Sequence, residues 1–188
     1  MKWFSCFMLV AAMTLLPLFV LKSVRPISVI VRGCSMEPLL MDGDCIKVSP
    51  LKFRWQGAHP DDCVVFWHAN KNRLLCKRCI AGPGDVISFE KGERDTTLYS
   101  NLPYAPRRGD NVILDSLTVL RYAHAISFET DKPLIWLDNA AYLGGHRQNQ
   151  YCFTHDWYYM IGDNREHSLD SRHYGLIAGD MILGVVII

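Results

Sequence analysis

The first hydrophobic pattern in the chain is an apolar run at residues 3–21, which contains no charged residue. An α-helix of this length, at about 1.5 Å per residue, would span roughly 28 Å, close to the hydrocarbon thickness of a bilayer. The sequence that follows, Lys-Ser-Val-Arg-Pro, lacks the small-x-small pattern of a cleavable signal peptide. We therefore expect residues 1–22 to form an uncleaved, single-pass transmembrane helix.

From residue 24 onward, short apolar or alternating segments separated by Gly, Pro and Asp predict β-strands. The predicted strands cover residues 27–32, 44–49, 63–68, 74–81, 112–114, 126–129, 134–137, 157–162 and 181–188. No segment after residue 22 carries a sustained helical stripe, and the best helix candidate is the short segment 116–124. The pattern predicts a mainly β fold with a barrel-like, all-β catalytic body.

Residues 88–150 differ in texture, with frequent turn sequences such as Gly-Glu-Arg-Asp at 92–95 and weaker strand patterns. We interpret this segment as a β-rich excursion inserted into the body. The predicted organisation is therefore an N-terminal anchor, residues 1–22, followed by one domain, residues 23–188, that carries the excursion.

Composition narrows the classes of function. The chain has 188 residues with 20 Lys and Arg against 19 Asp and Glu, and this balance gives no reason to expect a nucleic-acid partner. A hydrophobic fraction of 49% excludes a disordered or low-complexity chain. The sequence therefore describes a folded protein with a real core.

The chain contains 7 cysteines, and their one tight spacing is Cys76-Lys77-Arg78-Cys79. A zinc site would need a second pair of ligands at similar spacing, and the sequence offers none. We interpret these two cysteines as small, buried residues of a strand, and we expect neither a metal nor another cofactor.

Three segments carry candidate chemistry. Ser35 follows a small-residue turn, where a serine is either an exposed nucleophile or an ordinary turn residue. Lys77 lies inside an apolar strand, where it is either a solvated strand-edge residue or a base with an altered pKa. The loop 161–175 is dense in Asp, Asn, Ser and Arg, which suits either a solvated loop or a hydrogen-bonded scaffold around a site.

Taken together and in this order, the segments resemble the type I signal peptidases, which are membrane proteases with a Ser/Lys dyad. The Ser-Met-x-Pro box is present at residues 35–38, and the Lys-Arg-x-Ile-x-x-Pro-Gly-Asp box at 77–85. The Gly-Asp-Asn-x-x-x-Ser-x-Asp-Ser-Arg box is complete at 162–172, whereas the Gly-Asp-x-Val-x-Phe box is matched imperfectly at 61–66. The likeness covers residues 24–188 and favours the bacterial branch, because Lys77 stands where the endoplasmic-reticulum enzymes have His.

The resemblance implies that Ser35 is the nucleophile and that Lys77 is the general base, with no histidine required. A lysine of ordinary pKa, about 10.4, is roughly 0.1% neutral or less near pH 7 and is a poor base. Burial among apolar neighbours can lower that pKa by up to about 3 to 5 units, which makes the neutral amine common.

The resemblance also implies supporting roles for other residues. Ser168 would orient the lysine amine, while Asp170 and Arg172 would form an ion pair that holds the loop in place. Gly33 stands where some relatives have a serine that contributes to the oxyanion hole. The hole would therefore depend on backbone N–H groups, chiefly that of Ser35.

The resemblance implies that the protein removes signal peptides from exported preproteins by cutting after small residues in an Ala-x-Ala pattern. The substrate would bind as an added β-strand. Positive charges flank the anchor on both sides and do not decide its orientation. Because Ser35 follows the anchor closely, we expect the site to face the outer membrane boundary where signal peptides emerge, with the body on the periplasmic side of the inner membrane. The expected partners are preprotein signal peptides, the lipid bilayer and, as an open option, the secretion machinery.

Two alternatives stay open at this point. The same dyad would serve a specialised peptidase that processes pilin or conjugation components. A protein of another class, a non-catalytic membrane-anchored β-domain that binds exported peptides, would have no need for a desolvated lysine. The presence of Ser35, Lys77 and Ser168 argues against that second alternative.

Overall fold

The computed structural model describes residues 25–87 and 103–187. The predicted membrane anchor, residues 1–22, lies outside the described residues, and so do residues 88–102 at the beginning of the predicted excursion. Within the described ranges, no helix is long and apolar enough to cross a membrane. The boundaries of the anchor, the body and the excursion stay predictions.

The main sheet contains seven strands: β1 (Ile27–Ile30), β2 (Cys45–Ser49), β3 (Cys63–His68), β4 (Arg73–Ala81), β10 (Trp157–Ile161), β11 (Ile177–Ala178) and β12 (Ile182–Ile187). Their order in the sheet is β1-β2-β12-β3-β4-β10-β11, and each neighbouring pair is antiparallel. These strands are rich in Val, Ile and aromatic residues, which pack well on a pleated surface. The prediction of a mainly β body is confirmed.

The last described strand, β12, lies between β2 and β3 and so joins the first two strands to the rest of the sheet. Its close approach to β2 requires a glycine. A Cβ on Gly184 would lie 2.6 Å from both the carbonyl carbon and the carbonyl oxygen of Ser49, so a side chain would force the backbones apart.

The turn after β1 is fixed by packing against the sheet. Met36 is 1% exposed and Leu40 is 7% exposed, and both belong to one buried cluster with residues of β2, β3 and β12. Ser35 is next to the buried Met36 and therefore has little conformational freedom. The cluster thus holds Ser35 at a defined place beside the sheet.

Among the described residues, three α-helices accompany the strands: α1 (Pro50–Gln56), α2 (Ser116–Thr130) and α3 (Ser171–Tyr174). Asp115 caps the N-terminus of α2, and its carboxylate accepts a hydrogen bond from the Thr118 N–H at 2.7 Å. The helix predicted over 116–124 is therefore too short, and the strand predicted over 126–129 is wrong. Ile126 is fully buried on the same helical face as Val119 and Tyr122, so a helical period governs this segment.

The described part of the predicted excursion surrounds α2 with two small sheets. Its strands are β5 (Asn111–Ile113), β6 (Leu134–Leu137), β7 (Ala140–Leu143), β8 (His146–Gln148) and β9 (Gln150–Cys152). β5 pairs with β9, and β6, β7 and β8 form a three-stranded sheet. The segment thus contains the strands predicted over 112–114 and 134–137, but its longest described element is a helix that the sequence pattern did not reveal in full.

Candidate active site

The structure brings Ser35 and Lys77 together. Lys77 lies on β4 and Ser35 in the turn after β1, and the distance between Lys77 Nζ and Ser35 Oγ is 2.5 Å. Lys77 is 2% exposed, whereas Ser35 is only partly buried. The two residues are 42 positions apart in the sequence, so the sheet and the turn beside it create this contact.

The surroundings of Lys77 change its acid–base chemistry. Its pKa is lowered from the ordinary value of 10.5, chiefly because burial penalises the charged ammonium form. Asp170 and Cys76 oppose this effect, and the positive charges of Lys71 and Arg73 add to it. A lysine with a lowered pKa has a larger neutral fraction near pH 7 and can accept a proton from a hydroxyl.

The cysteines next to Lys77 on β4 belong to its apolar surroundings. Burial raises the pKa of Cys76 and that of Cys79 to about 12, so both thiols are neutral near pH 7. The cysteines in the described ranges are all free thiols. The same ranges contain no group of three or more His, Cys, Asp or Glu side chains that could hold a metal ion.

Ser168 and Ser35 approach the same glycine. Ser168 is 4% exposed, and a Cβ on Gly162 would overlap Ser168 Oγ and lie 2.6 Å from the Ser35 carbonyl oxygen. Only glycine therefore fits at position 162. Among the described residues, Ser168 Oγ has no hydrogen-bond partner of standard geometry, and its role in orienting the Lys77 amine stays a prediction.

The structure places Asp170 and Arg172 in a bidentate ion pair. Arg172 Nε donates to Asp170 Oδ1 at 2.8 Å and Arg172 Nη2 donates to Oδ2 at 3.0 Å, and Asp170 also accepts from the Gly162 N–H at 3.0 Å. Burial alone would raise the pKa of Asp170, but the hydrogen bonds from Arg172 and Gly162 lower it below its usual value. This carboxylate therefore stays ionised and joins the end of β10 to the loop that follows.

Asn164, which the sequence analysis did not single out, ties that loop to the turn carrying Ser35. Its N–H donates to the Ser35 carbonyl at 3.1 Å, and its Nδ2 donates to the Cys34 carbonyl at 3.1 Å. The residue lies inside the Gly-Asp-Asn box at 162–164, so the motif contained it, but nothing in the sequence identified its partner.

A second ion pair that the sequence analysis missed joins β4 to the same loop. Arg78 Nε and Nη2 lie 2.7 and 2.6 Å from the two carboxylate oxygens of Asp163, and Arg78 Nη1 donates to the Asp61 carbonyl at 2.7 Å. Asp61 has a φ of 73°, a left-handed conformation that glycine adopts without strain. Asp61 stands at the first position of the Gly-Asp-x-Val-x-Phe box, where this sequence has Asp in place of Gly.

Gly33 turns the chain between β1 and Ser35. Its φ of 88° lies in the region that favours glycine, and its N–H donates to Asp42 Oδ1 at 2.7 Å. The Gly33 N–H is therefore already committed to a carboxylate within the same turn.

A groove of about 840 Å³ lies beside the dyad. One side is formed by β1 and the turn after it, and the other by the first half of β4, with apolar residues such as Val29, Val65 and Leu75 in its wall. β1 is an end strand of the sheet, and β4 pairs with β10 only from Arg78 onward. The groove therefore lies between two open strand edges, each able to pair with an added strand.

The chain is similar in sequence to known signal peptidases. The family described as signal peptidase, peptidase S26, matches residues 1–188. Signal peptidase IB of Staphylococcus aureus (strain Mu50 / ATCC 700699) is 30% identical over 162 residues, which cover 83% of this chain and 73% of that protein. Signal peptidase I V of Bacillus subtilis (strain 168) is 30% identical over 157 residues, which cover 83% of this chain and 80% of that protein. The crystal structure of a signal peptidase I from Enterococcus faecalis V583 is 19% identical, covers 69% of this chain and 96% of its own, and has a TM-score of 0.33.

Proposed function

The chain belongs to the signal peptidase family, peptidase S26, and we propose that it removes signal peptides from exported preproteins with Ser35 as nucleophile and Lys77 as general base. The observation that carries this assignment is the 2.5 Å contact between Lys77 Nζ and Ser35 Oγ at the side of an apolar groove. Peptidase activity on signal peptides follows from the family. The roles of the individual residues are what we add.

In acylation, the neutral Lys77 amine takes the proton of the Ser35 hydroxyl while Oγ attacks the scissile carbonyl carbon. The Lys77 ammonium then donates this proton to the leaving amine of the mature protein, and the signal peptide stays bound to Ser35 as an ester. In deacylation, Lys77 takes a proton from the attacking water and returns it to Ser35 Oγ. The lowered pKa of Lys77 supports both steps, because each begins with the neutral amine.

We assign the oxyanion hole chiefly to the backbone N–H of Ser35. The Gly33 N–H is bonded to Asp42 and is not available for this purpose. The hydrogen bonds from Asn164 to the carbonyls of Cys34 and Ser35 keep the turn from rotating. A rigid donor stabilises the developing negative charge better than one that must reorganise during the reaction.

We infer that the substrate lies in the groove as an extended strand between β1 and β4. Each of these edges can donate to and accept from the substrate backbone, so binding does not depend on large side chains. The small residues of an Ala-x-Ala site suit this arrangement because they let the substrate backbone approach the groove wall closely.

We further propose that residues 1–22 anchor the protein in the inner membrane with its body on the periplasmic side. Ile27 and Ile30 on β1 are 40% and 57% exposed, and Leu39 and Met41 in the following turn are 42% and 51% exposed. This apolar surface beside the groove suits contact with lipid or with the membrane-embedded part of the substrate.

The test is cleavage of a preprotein with an Ala-x-Ala site by the full chain in detergent. We expect Ser35→Ala and Lys77→Met each to lower the rate by at least about a thousandfold, because the two groups act as one unit. Ser116→Ala and Lys132→Met, which make the same changes in the excursion, are the matched controls and should cut like the wild type. A Lys77→Met variant that still cuts would exclude Lys77 as the base, and a wild type that cuts no Ala-x-Ala site would exclude the substrate class.

A further inference from the structure

The groove beside the dyad is basic, and the cleavage mechanism does not require this. Besides Lys77, the residues that line it include Arg32, Lys71 and Arg73, and they include no Asp or Glu. An extended substrate with small side chains gives no reason for such an excess of positive charge. The excess of positive charge therefore indicates that the groove recognises a feature of the substrate that the dyad itself does not contact.

Lys71 and Arg73 differ in their pairing from Lys52, from Arg78 and from the groove's Arg32, which lies 3.8 Å from Asp42. Lys52 lies 3.0 Å from Asp62, and Arg78 lies 2.6 Å from a carboxylate oxygen of Asp163. Within the described residues, no carboxylate comes within ion-pair distance of Lys71 or of Arg73. Lys71 and Arg73 thus have no ion-pair partner among the described residues, although the more distant Asp170 carboxylate partly offsets the charge of Lys71.

The environment makes a counter-ion from outside favourable. Lys71 is half-buried, and its pKa is lowered, first by burial and then by repulsion from Arg73. Arg73 is exposed, but the groove wall next to it includes Leu74 and Leu75, and water therefore screens the half-buried Lys71 less than it screens a fully exposed charge. An anion that enters the groove would relieve the repulsion between the two cations.

The position of Arg73 on β4, with Lys71 in the turn just before this strand, sets the distance over which the charges act. Arg73 is the first residue of β4 and lies four residues before Lys77, which corresponds to about 13 Å at roughly 3.3 Å per residue. A substrate strand laid along this open edge, with its scissile carbonyl at Ser35, would place a residue about four or five positions from the scissile bond beside Arg73.

We propose that Lys71 and Arg73 form a subsite that selects an acidic side chain about four or five residues from the scissile bond. We call this pair the basic subsite. The proposal rests on the proposed function, since it assumes a peptide strand bound beside the dyad. The basic subsite would favour Asp or Glu at that position and disfavour Lys or Arg, through attraction and repulsion of charges in a partly shielded groove.

The experiment uses the full chain in neutral detergent and a set of Ala-x-Ala peptides. Each peptide carries Asp, Asn or Lys at one position, three to six residues before or after the cut. We expect kcat/KM for Asp to exceed that for Asn about fivefold at one or two neighbouring positions on one side of the cut, and Lys to be the poorest there. Raising the salt concentration from about 50 to about 500 mM shortens the electrostatic screening length to a few Å. This should lower the ratio of kcat/KM for the Asp peptide to that for the Asn peptide.

The double variant Lys71→Gln/Arg73→Gln should bring the ratio of Asp to Asn close to one. The control, Lys132→Gln/Arg147→Gln, removes the same charge from the excursion and should keep the ratio. Because the groove cations also affect the pKa of Lys77, rates are compared only as ratios within one enzyme. Dissociation constants of the same peptides for the Ser35→Ala variant, measured by fluorescence anisotropy, give the ratio without any chemistry.

Failure of this proposal is distinguishable from failure of the proposed function. A wild type that does not cut the neutral parent peptide contradicts the function, whereas the binding ratio still tests the basic subsite. Equal binding of Asp and Asn peptides at every position, or a preference that survives in the double variant, would overturn the subsite. So would stimulation of all peptides alike by phosphatidylglycerol vesicles that the double variant abolishes, because the cations would then bind lipid headgroups.

Discussion

Lys77 and Glu129 are both shielded from solvent, and the fold treats the two charges in opposite ways. The side chain of Glu129, on α2, is 0% exposed. Its two oxygens accept hydrogen bonds at 2.6 to 3.0 Å from the Tyr151 hydroxyl, the Thr154 N–H and hydroxyl, the His155 N–H and the Trp157 indole N–H. The Lys77 amine has one hydrogen-bond partner among the described residues, Ser35 Oγ.

The difference shows in what each pKa shift means. Burial would raise the pKa of Glu129, but the hydrogen bonds led by that of Tyr151 lower it, so the charged form is the stable one. The pKa of Lys77 is also lowered, but for a base this means that the charged form is disfavoured. A buried charge with many donors joins parts of the structure, whereas one with few partners remains ready to exchange a proton.

The largest expected effect on stability is that of Glu129→Gln. The NH2 group of the glutamine would face N–H and O–H groups that now donate to the carboxylate, so some of these hydrogen bonds would be lost. We expect the free energy of unfolding to fall by about 2 to 4 kcal/mol. The thermal midpoint in detergent should fall by about 5 to 12 °C. The rate of cleavage below the midpoint should stay within about twofold of the wild type, because the dyad is untouched.

Asp138→Asn removes one carboxylate charge from an exposed turn and is the matched control for that change. It should leave the midpoint within about a degree, as surface substitutions usually do. If Glu129→Gln melts like the control, the hydrogen bonds around Glu129 do not stabilise the fold and the contrast with Lys77 disappears.

The same contrast explains which parts of the molecule the sequence predicts. Lys77 could be recognised from local pattern, because a lysine inside an apolar strand is conspicuous without any knowledge of its partners. The ion pairs that connect distant segments could not be recognised in this way. Arg78 and Asp163, for example, are 85 positions apart, and each looks like an ordinary surface charge in the sequence. Glu129 was placed in a predicted strand, because the apolar residues of α2 do not form one clean stripe and only contacts with residues 151–157 reveal its role.

The acid–base half of the comparison predicts a pH dependence of catalysis. Because only neutral Lys77 can accept the Ser35 proton, kcat/KM should rise about tenfold per pH unit on the acid side and level off above the pKa of Lys77. The midpoint should lie below 10.5, since burial lowers this pKa. Initial rates on one uncharged peptide between pH 5 and 10 measure it.

Two variants sharpen this profile. Glu129→Gln should show the wild-type midpoint, because its charge does not act on the dyad. Lys71→Gln/Arg73→Gln should move the midpoint to higher pH, because the two positive charges that disfavour the Lys77 ammonium are gone. A rate that is independent of pH over this range would mean that proton transfer to Lys77 does not limit the reaction.

The smallest expected effect has the opposite sign from that of Glu129→Gln. In the unfolded chain Lys77 has its ordinary pKa, so between the two pKa values the unfolded state binds more protons, and wild-type stability rises with pH until that window is passed. Below the pKa of Lys77 in the folded protein, the full free-energy cost of the buried ammonium is present.

Lys77→Met replaces the amine with an apolar chain. We expect its free energy of unfolding to exceed that of the wild type by about 1 kcal/mol at pH 6, and by less at pH 9. Urea unfolding at both pH values measures the difference, and a Lys77→Met protein less stable than the wild type at pH 6 would mean that the fold stabilises this charge as it stabilises Glu129.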